Sequence, residues 1–485
     1  QTNAVDVGAV AAPSAPNWLT TAEAERERMT PVMRQVIDLK ASHPDCLLFF
    51  RLGDFYELFF EDALVAAPLL DMVLTSRNKN DARPIPMCGF PFHAMSSYVQ
   101  RTLEAGQRVA VVEQLEDPKK AKGPVKRGLT RVITPGVVLE TEALDGRRSN
   151  NIAALFGTKE GMALAVADAS TGTFQIAQVA HVSALSLLCV RLEPREIIAS
   201  ARLDPVIDSV AAARSTLRTH RELDRDAVRR HRDDPQAGAV ALMRSYLAEV
   251  RPSVVGLLNA PEVLPDGGHM RLDRDAVQHL ELLQTVRTAK REGSLLATVD
   301  RTVTVAGARW LRSLLLAPMA DRRAIEQHHA AVEALLADTA TRDELRRILG
   351  TLADLARIAG RAAARMATPK ELASARDTLD KLPVLRGLLA GDVFRCAQLT
   401  ALHDGLGGAE AVSGTLCDTL ADDPRNAVFD GDVIRTGFCE RLDELRDLCN
   451  DGNGWLQRYQ QELRDRTGIA KLRVHYHRVS GYVIE

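Results

Sequence analysis

Two side chains of this sequence, Phe55 and Glu57, have types and a spacing that suggest chemistry on nucleic acid. They follow the apolar run Leu47-Leu48-Phe49-Phe50-Arg51-Leu52 and the pair Gly53-Asp54. A rigid ring held beside a turn can be pushed between stacked bases, which costs about a few kcal/mol per unstacked step. A carboxylate near phosphates is repelled unless it accepts a hydrogen bond from a base or is itself protonated. Seven of the chain's 12 phenylalanines lie between Phe49 and Phe92, although aromatics make up only 4% of the sequence. The rings are therefore concentrated where such a wedge would act. Nearby, Lys119, Lys120, Lys122, Lys126, Arg127 and Arg131 form a stretch with no acid in it, and Arg77 and Lys79 lie in a polar loop over 76–86. Basic residues in that company suit phosphate contact, which positions a duplex without reading its sequence. The same charges also suit a solvated loop.

The local pattern offers a plainer reading of Phe55 and Glu57. Asp54 is a good helix N-cap and Glu57, three positions on, stands where a capping-box acid belongs. At about 100° per residue, Tyr56, Phe59, Ala63, Ala66 and Leu70 share one helical face, with Phe55 at its edge. On that reading a helix starts at Asp54 and Phe55 is a peripheral core ring. Around it, Thr30-Pro31 starts a helix that ends at His43-Pro44. A strand to Leu52, a helix over 95–104 and a strand over 108–113 complete a small mixed α/β unit.

Gly53-Asp54-Phe55-Tyr56-Glu57-Leu58-Phe59 resembles the mismatch-recognition motif of the MutS family of DNA mismatch repair proteins. Pro84-Ile85-Pro86-Met87-Cys88-Gly89-Phe90-Pro91-Phe92-His93, Lys122-Gly123-Pro124-Val125 and Thr134-Pro135-Gly136 resemble the rest of that family's first domain. The likeness runs in order from about Thr30 to Glu485. It implies that Phe55 stacks on a mispaired base and Glu57 hydrogen-bonds it. It further implies mismatched double-stranded DNA and MutL as partners, a homodimer when intact, and a cytoplasmic, nucleoid-associated protein.

At 485 residues the chain is long enough for three or four domains. The resemblance divides it into a lead-in over 1–29, read as disordered, a mismatch-recognition domain over 30–140 and a linker over 141–151. A connector with a ribonuclease-H-like α/β fold follows over 152–265, then a helical core or lever domain over 266–470. The start of a clamp occupies 471–485. The fold class is thus multidomain, α/β followed by all-α. In the connector, strands over 162–169 and 173–179 flank Ser170-Thr171-Gly172. A ribonuclease-H-like fold raises a rival function, a nuclease holding Mg²⁺ with Asp168, Glu193 and Asp208. These three are expected not to converge, since fold does not carry function. A third possibility is a scaffold with no mismatch preference, in which Phe55 is buried.

From Met270 helical periodicity takes over. Leu272, Ala276, Leu280 and Leu283 fall on one face, as do Ile325, His328, Val332, Leu335 and Leu336. Further helices are expected over 305–316, 341–365, 369–381, 399–420 and 440–465. Met270-Arg271-Leu272-Asp273, Ala367-Thr368-Pro369-Lys370-Glu371-Leu372 and Leu442-Asp443-Glu444-Leu445 carry the family likeness there. Ala356 and Asp275 depart from it at positions that concern helix packing. Residues 472–485 alternate as a strand, and His475 and His477 share a face but lack a third metal ligand nearby.

Lys+Arg 62 against Asp+Glu 64 gives a net charge of −2, so nucleic-acid contact must use local patches. The seven scattered cysteines include no Cys-x-x-Cys pair, which argues for a reducing compartment without disulfides or a zinc site. No apolar run is long enough for a membrane span. No Gly-x-x-x-x-Gly-Lys loop occurs, and no Gly-Lys pair at all. The chain as given is therefore expected to need no cofactor and to neither bind nor hydrolyse ATP. The family's ATPase domain, with its ATP and Mg²⁺, would lie beyond Glu485.

Overall fold

A computed structural model describes residues 29–485, apart from 79–83, 117–124, 141–142, 211–216, 222, 224, 266, 392–395, 427–430, 451 and 478–480. Of the expected phosphate contacts, Lys79, Lys119, Lys120 and Lys122 lie outside the described residues. The chain divides into two compact units, one of residues 1–367 with 387–403, the other of 368–386 with 404–485.

The first unit begins with helix α1 (Pro31–Ser42), capped by the Thr30 hydroxyl with proline in its first turn. Strands β1 (Cys46–Leu52), β2 (Phe55–Phe59), β3 (Thr75–Arg77), β4 (Ile85–Pro91), β5 (Arg108–Gln114) and β6 (Arg127–Ile133) form one sheet in the order β3-β4-β2-β1-β5-β6. Helices α2 (Phe60–Leu69) and α3 (Met95–Glu104) cover one face, over Phe49, Tyr56, Leu58 and Phe90. On the other face Met33 and Val36 of α1 pack with Leu48, Phe50 and Phe59.

The helix expected from Asp54 is not there. Residues 55–59 are strand, and the helix starts at Phe60. Leu52 pairs with Phe55 across a two-residue loop, and Gly53 takes the positive φ of 58° that such a loop asks of its first residue. β4 pairs with the other edge of β2, so both edges are satisfied as strand. Tyr56 and Phe59, expected on one helical face, point to opposite faces of the sheet. Asp54 and Glu57 therefore form no capping box.

A second six-stranded sheet joins β7 (Asn151–Thr158), β8 (Gly161–Asp168), β9 (Thr173–Val179), β10 (Glu196–Ala199), β11 (Leu217–His220) and β12 (Glu262–Val263) in the order β11-β10-β7-β8-β9-β12. Helix α4 (Val182–Leu192) packs on one face and α5 (Pro235–Val250) on the other. The two sheets meet at the fully buried carboxylate of Glu196. It accepts from Thr134 Oγ1 at 2.6 Å, Gly136 N at 3.2 Å and Tyr246 OH at 2.6 Å, and also from Thr219. A buried charge is tolerable when its lone pairs are this fully used.

Helices then dominate: α6 (Val305–Leu316), α7 (Arg322–Ala337), α8 (Thr339–Leu349) and α9 (Leu355–Ala363). Several expected helices are shorter or divided. Only Arg274–His279 is helical where a face from Leu272 to Leu283 was read, and Glu281 turns the chain with φ 49°. The helix expected over 341–365 breaks after Leu349, at Gly350. On α7, Val332 and Leu336 are exposed, while Ala331 is buried among Ala334, Leu335 and Leu399. Residues in the stretch expected to link the first two domains are tied down by arginines. Arg357 donates to Asp145 O at 3.1 Å and Arg148 O at 2.7 Å, and Arg309 to Gly146 O at 2.8 Å.

In the second unit α10 (Pro369–Leu379) opens on a full capping box between Thr368 and Glu371. The helix expected over 399–420 is two, Ala397–Gly405, whose residues up to 403 belong to the first unit, and Glu410–Thr419 of the second; the one expected over 440–465 is also two, Glu440–Asn450 and Gly452–Thr467. The expected last strand is a hairpin of β13 (Val474–His477) and β14 (Gly481–Ile484). No helix among the described residues is long and apolar enough to cross a membrane.

Candidate nucleic-acid interface

The alternation of β2 puts Phe55, Glu57 and Phe59 on the sheet face that α1 packs against. Phe59 lies under α1 and is buried. Phe55, at the hairpin end, is not covered, and the residue is 48% exposed. An exposed phenylalanine on a central strand of a packed sheet contributes little to the core, so the ring is available to a partner. The hairpin fixes its position: Phe55 pairs with Leu52 and Pro91, and Phe92 N–H donates to Asp54 O at 2.9 Å.

Glu57 lies one pair further along, between Phe50 on β1 and Gly89 on β4. Its Oε2 is buried without a hydrogen-bond partner among the described residues, and Arg77 Nη1 is 3.8 Å away. Burial pushes the Glu57 carboxyl above its ordinary range, and Arg77 partly opposes that. The group is thus a desolvated acceptor with spare capacity, able to take a donor from outside or to hold a proton and donate one. Gly89 keeps the space beside it open.

Cations flank this pair. Arg77 passes over the Phe59 ring at 5.9 Å. Arg127 lies over Phe50 at 5.4 Å and donates through Nε to Arg51 O at 2.8 Å. Lys126 is exposed just before β6. Arg131 is differently placed, since its Nη1 meets Glu140 Oε1 at 3.3 Å. Arg51 was not singled out from the sequence. Its guanidinium stacks 4.1 Å above the exposed ring of Phe92, beside the hairpin that carries Phe55. A cation and an aromatic far apart in sequence gave no local signal for that pair.

Residues 30–142 match the family model described as MutS domain I, and residues 275–476 match MutS domain III. The chain is 36% identical over 486 residues to the DNA mismatch repair protein MutS of Symbiobacterium thermophilum, and 35% over 482 residues to that of Myxococcus xanthus. It is 33% identical over 460 residues to the same protein of Staphylococcus haemolyticus. Each comparison covers 94% of this chain. The chain belongs to the MutS family. It spans about half the length of the curated relatives it matches, 55%, 53% and 52% of them in the same order. The mixed α/β region with Phe55 and Glu57 falls in MutS domain I, and the helical region falls in MutS domain III.

Two of the three carboxylates of the nuclease reading, Asp168 and Glu193, have other occupations. Asp168 is buried and accepts from Asn150 N, Ser170 N and Ser170 Oγ at 2.9, 2.9 and 2.6 Å. Glu193 is gripped by Arg312, through Nε at 2.6 Å and Nη2 at 2.7 Å. Among the described residues no three His, Cys, Asp or Glu side chains are placed to hold a metal.

Proposed function

We propose that this chain senses mispaired or looped-out bases in duplex DNA and so initiates DNA mismatch repair. One observation carries the reading: an exposed Phe55 ring and a desolvated, under-bonded Glu57 lie two residues apart on the same face of β2, with Arg77 beside Glu57. The relatives' name, DNA mismatch repair protein MutS, supports it. Phe55 enters beside the mispair. Mispaired DNA unstacks and bends at lower cost than paired DNA, so the ring discriminates by deformation energy. Glu57 hydrogen-bonds the base that Phe55 displaces. Arg77, Lys126 and Arg127, with Lys79, Lys119, Lys120 and Lys122, hold the backbone.

The same proposal takes the second sheet as a ribonuclease-H-like connector offered to MutL, the helices as a lever, and the last hairpin as the start of a clamp. The sheet order with helices on both faces supports the connector assignment. A homodimer acting at the nucleoid in the cytoplasm, and coupling to ATP and Mg²⁺, are assigned to the longer family protein. The residues present do not fit that nucleotide chemistry, because the sequence has no Gly-Lys phosphate loop.

The test is a fluorescence titration of the 485-residue chain against a G·T-mispaired duplex and its fully paired counterpart, at two salt concentrations, with Phe55→Ala alongside. Tighter binding to the mispair, lost in Phe55→Ala while the salt-dependent part remains, is the expected result. Equal binding of both duplexes by the parent chain would count against the wedge.

A further inference from the structure

The ladder between β1 and β2 ends at the Leu52–Phe55 pair, so Gly53 and Asp54 lie past its last rung. Both turn residues are exposed. Exposed turns with few bonds to the rest of a fold are the parts that open most readily. Here each turn carbonyl has a partner outside the turn. Gly53 O accepts from Nε of Arg51, and Asp54 O accepts from Phe92 N–H at 2.9 Å.

Two rings hold the Arg51 guanidinium in place, an arrangement that suits its flat, delocalised charge. Its centre lies 4.1 Å from the centroid of Phe92 and 5.5 Å from that of Tyr56. Tyr56 is the cross-strand partner of Arg51, is buried, and donates its hydroxyl to Glu113 of β5. Phe92 directly follows β4, and His93 meets its ring near edge-on at 6.0 Å. The backbone of Arg51 is held as well, because Arg51 O accepts from Arg127 Nε at 2.8 Å. One side chain thus ties the turn to β2 and to the chain leaving β4.

Alternation along the strands puts Arg51 and Tyr56 on the sheet face that carries α2 and α3, whereas Phe55 points to the α1 face. Arg51 therefore stands behind the hairpin, on the side away from the Phe55 ring. A ring pushed between stacked bases works against the stack. A hairpin end held only by its last pair would yield to that load, and a group fixed before contact binds at lower cost.

We propose that Arg51, seated on Phe92, is the positioning residue of the Phe55 wedge, stiffening the hairpin from behind without touching a base. The proposal rests on the reading of Phe55 as the ring that enters at a mispair.

Titration of the 485-residue chain against G·T-mispaired and fully paired duplexes, each at several salt concentrations, tests this. A 2-aminopurine beside the mispair reports unstacking by its emission. Arg51→Met is expected to reduce the preference for the mispair about two- to fivefold, the size of an exposed cation–ring contact. Affinity for the paired duplex and its salt slope should stay unchanged, and the 2-aminopurine signal at saturation should be smaller. Arg51→Lys keeps a cation without the flat fork and should recover only part of the loss. Phe92→Leu keeps the N–H bond to Asp54 but removes the ring, at an exposed site the fold tolerates, and should reproduce the effect of Arg51→Met. If Phe55→Ala abolishes the preference while Arg51→Met and Phe92→Leu keep it in full, this proposal is overturned and the wedge stands. If the parent shows no preference, or Phe55→Ala retains it, the wedge reading falls and this proposal with it. A lower salt slope in Arg51→Met would make Arg51 a phosphate contact and would also overturn the positioning role.

Discussion

Gly89 lies directly across the β2–β4 ladder from Glu57, and a Cβ on it would stand 2.8 Å from Tyr56 O and 3.3 Å from Glu57 Cγ. The first distance is to backbone, which cannot swing aside. Gly89→Ala must therefore push β4 away from β2 or turn Glu57 out of its place. Overpacking of this kind costs about 1–3 kcal/mol. The expected outcome is a loss of that order in urea denaturation, with a smaller preference for the mispaired duplex in titration. An unchanged stability with full discrimination would show that the strands absorb the methyl group freely and that the gap has no function.

The sequence made some of these elements legible and hid others for physical reasons. α1, β1, α3 and the hairpin around Ser170-Thr171-Gly172 carry strong local signals, a Thr-Pro start in the first case and turn residues between alternating strands in the last. β2 is hidden in the sequence because Tyr56, Phe59, Ala63, Ala66 and Leu70 obey the helical period while spanning a strand and a helix joined at Phe60. Pairing on both edges, a non-local fact, decided it. The Arg77–Glu57 pair depends on β3 and β2 both flanking β4. The buried hub at Glu196 draws on Thr134, 62 positions away. Neither leaves a trace in spacing. Long helical patterns were legible as helix but not their breaks, as at Gly350 and in the Gly407-Gly408 pair, where Gly408 takes φ 82°.

Glu57 makes a pH prediction whose sign is opposite to that of most carboxylates. Burial raises its folded-state pKa above the ordinary value of 4.5. Between the unfolded and folded values the native state holds more protons than the unfolded one, so stability falls as pH rises through that window. Glu57→Gln removes the ionisation. It is expected to be more stable than the parent at pH 7 and to lose that advantage as pH drops below the ordinary carboxylate range. Arg77→Met in the Glu57 parent should enlarge the effect, since Arg77 is what favours the charged form. Urea denaturation from pH 4 to pH 8 measures both. A parent that gains stability with rising pH relative to Glu57→Gln would reverse the assignment.

Lys126 and Arg131 should separate in salt dependence. Lys126 is exposed, whereas Arg131 shares Glu140 with Arg251, whose Nη1 is 3.2 Å from the same carboxylate oxygen. Burial works against the charge on Glu140, but Arg251 and Arg131 hold its carboxyl below the usual range. Arg131 thus has a structural task. Lys126→Ala is expected to reduce the slope of log K against log salt by about 0.9, the value of one phosphate contact. Arg131→Ala should leave the slope alone and lower stability. Duplex titrations at four or more salt concentrations, with a melting curve for each variant, make the comparison. The opposite pattern would move the phosphate contact to Arg131.

The last prediction concerns what keeps the hairpin's sheet between its helices. Lys40 of α1 and Asp62 of α2 are both buried and meet at 2.7 Å, through Nζ and Oδ1. Asp62 Oδ2 also accepts from Leu48 N at 2.9 Å, and Lys40 donates to Cys46 O, so the pair bolts both helices to β1. Burial pushes the Asp62 carboxyl up, and Lys40 and the Leu48 N–H oppose it. Removing one partner strands a buried charge, at a cost of about 3–5 kcal/mol. Asp62→Ala should therefore destabilise severely, and Lys40→Met with Asp62→Leu should recover most of the loss, because apolar groups of similar size can replace a buried pair at little cost. A double-mutant cycle in urea gives the coupling. If the double variant is as unstable as the sum of the singles, the contribution of the pair lies in its bonds to Cys46 and Leu48 rather than in the mutual attraction of the charges. Because Phe55 and Glu57 project from β2, the neighbour of β1 in this sheet, Asp62→Ala should also blunt the preference for mispaired DNA, although Asp62 itself is buried.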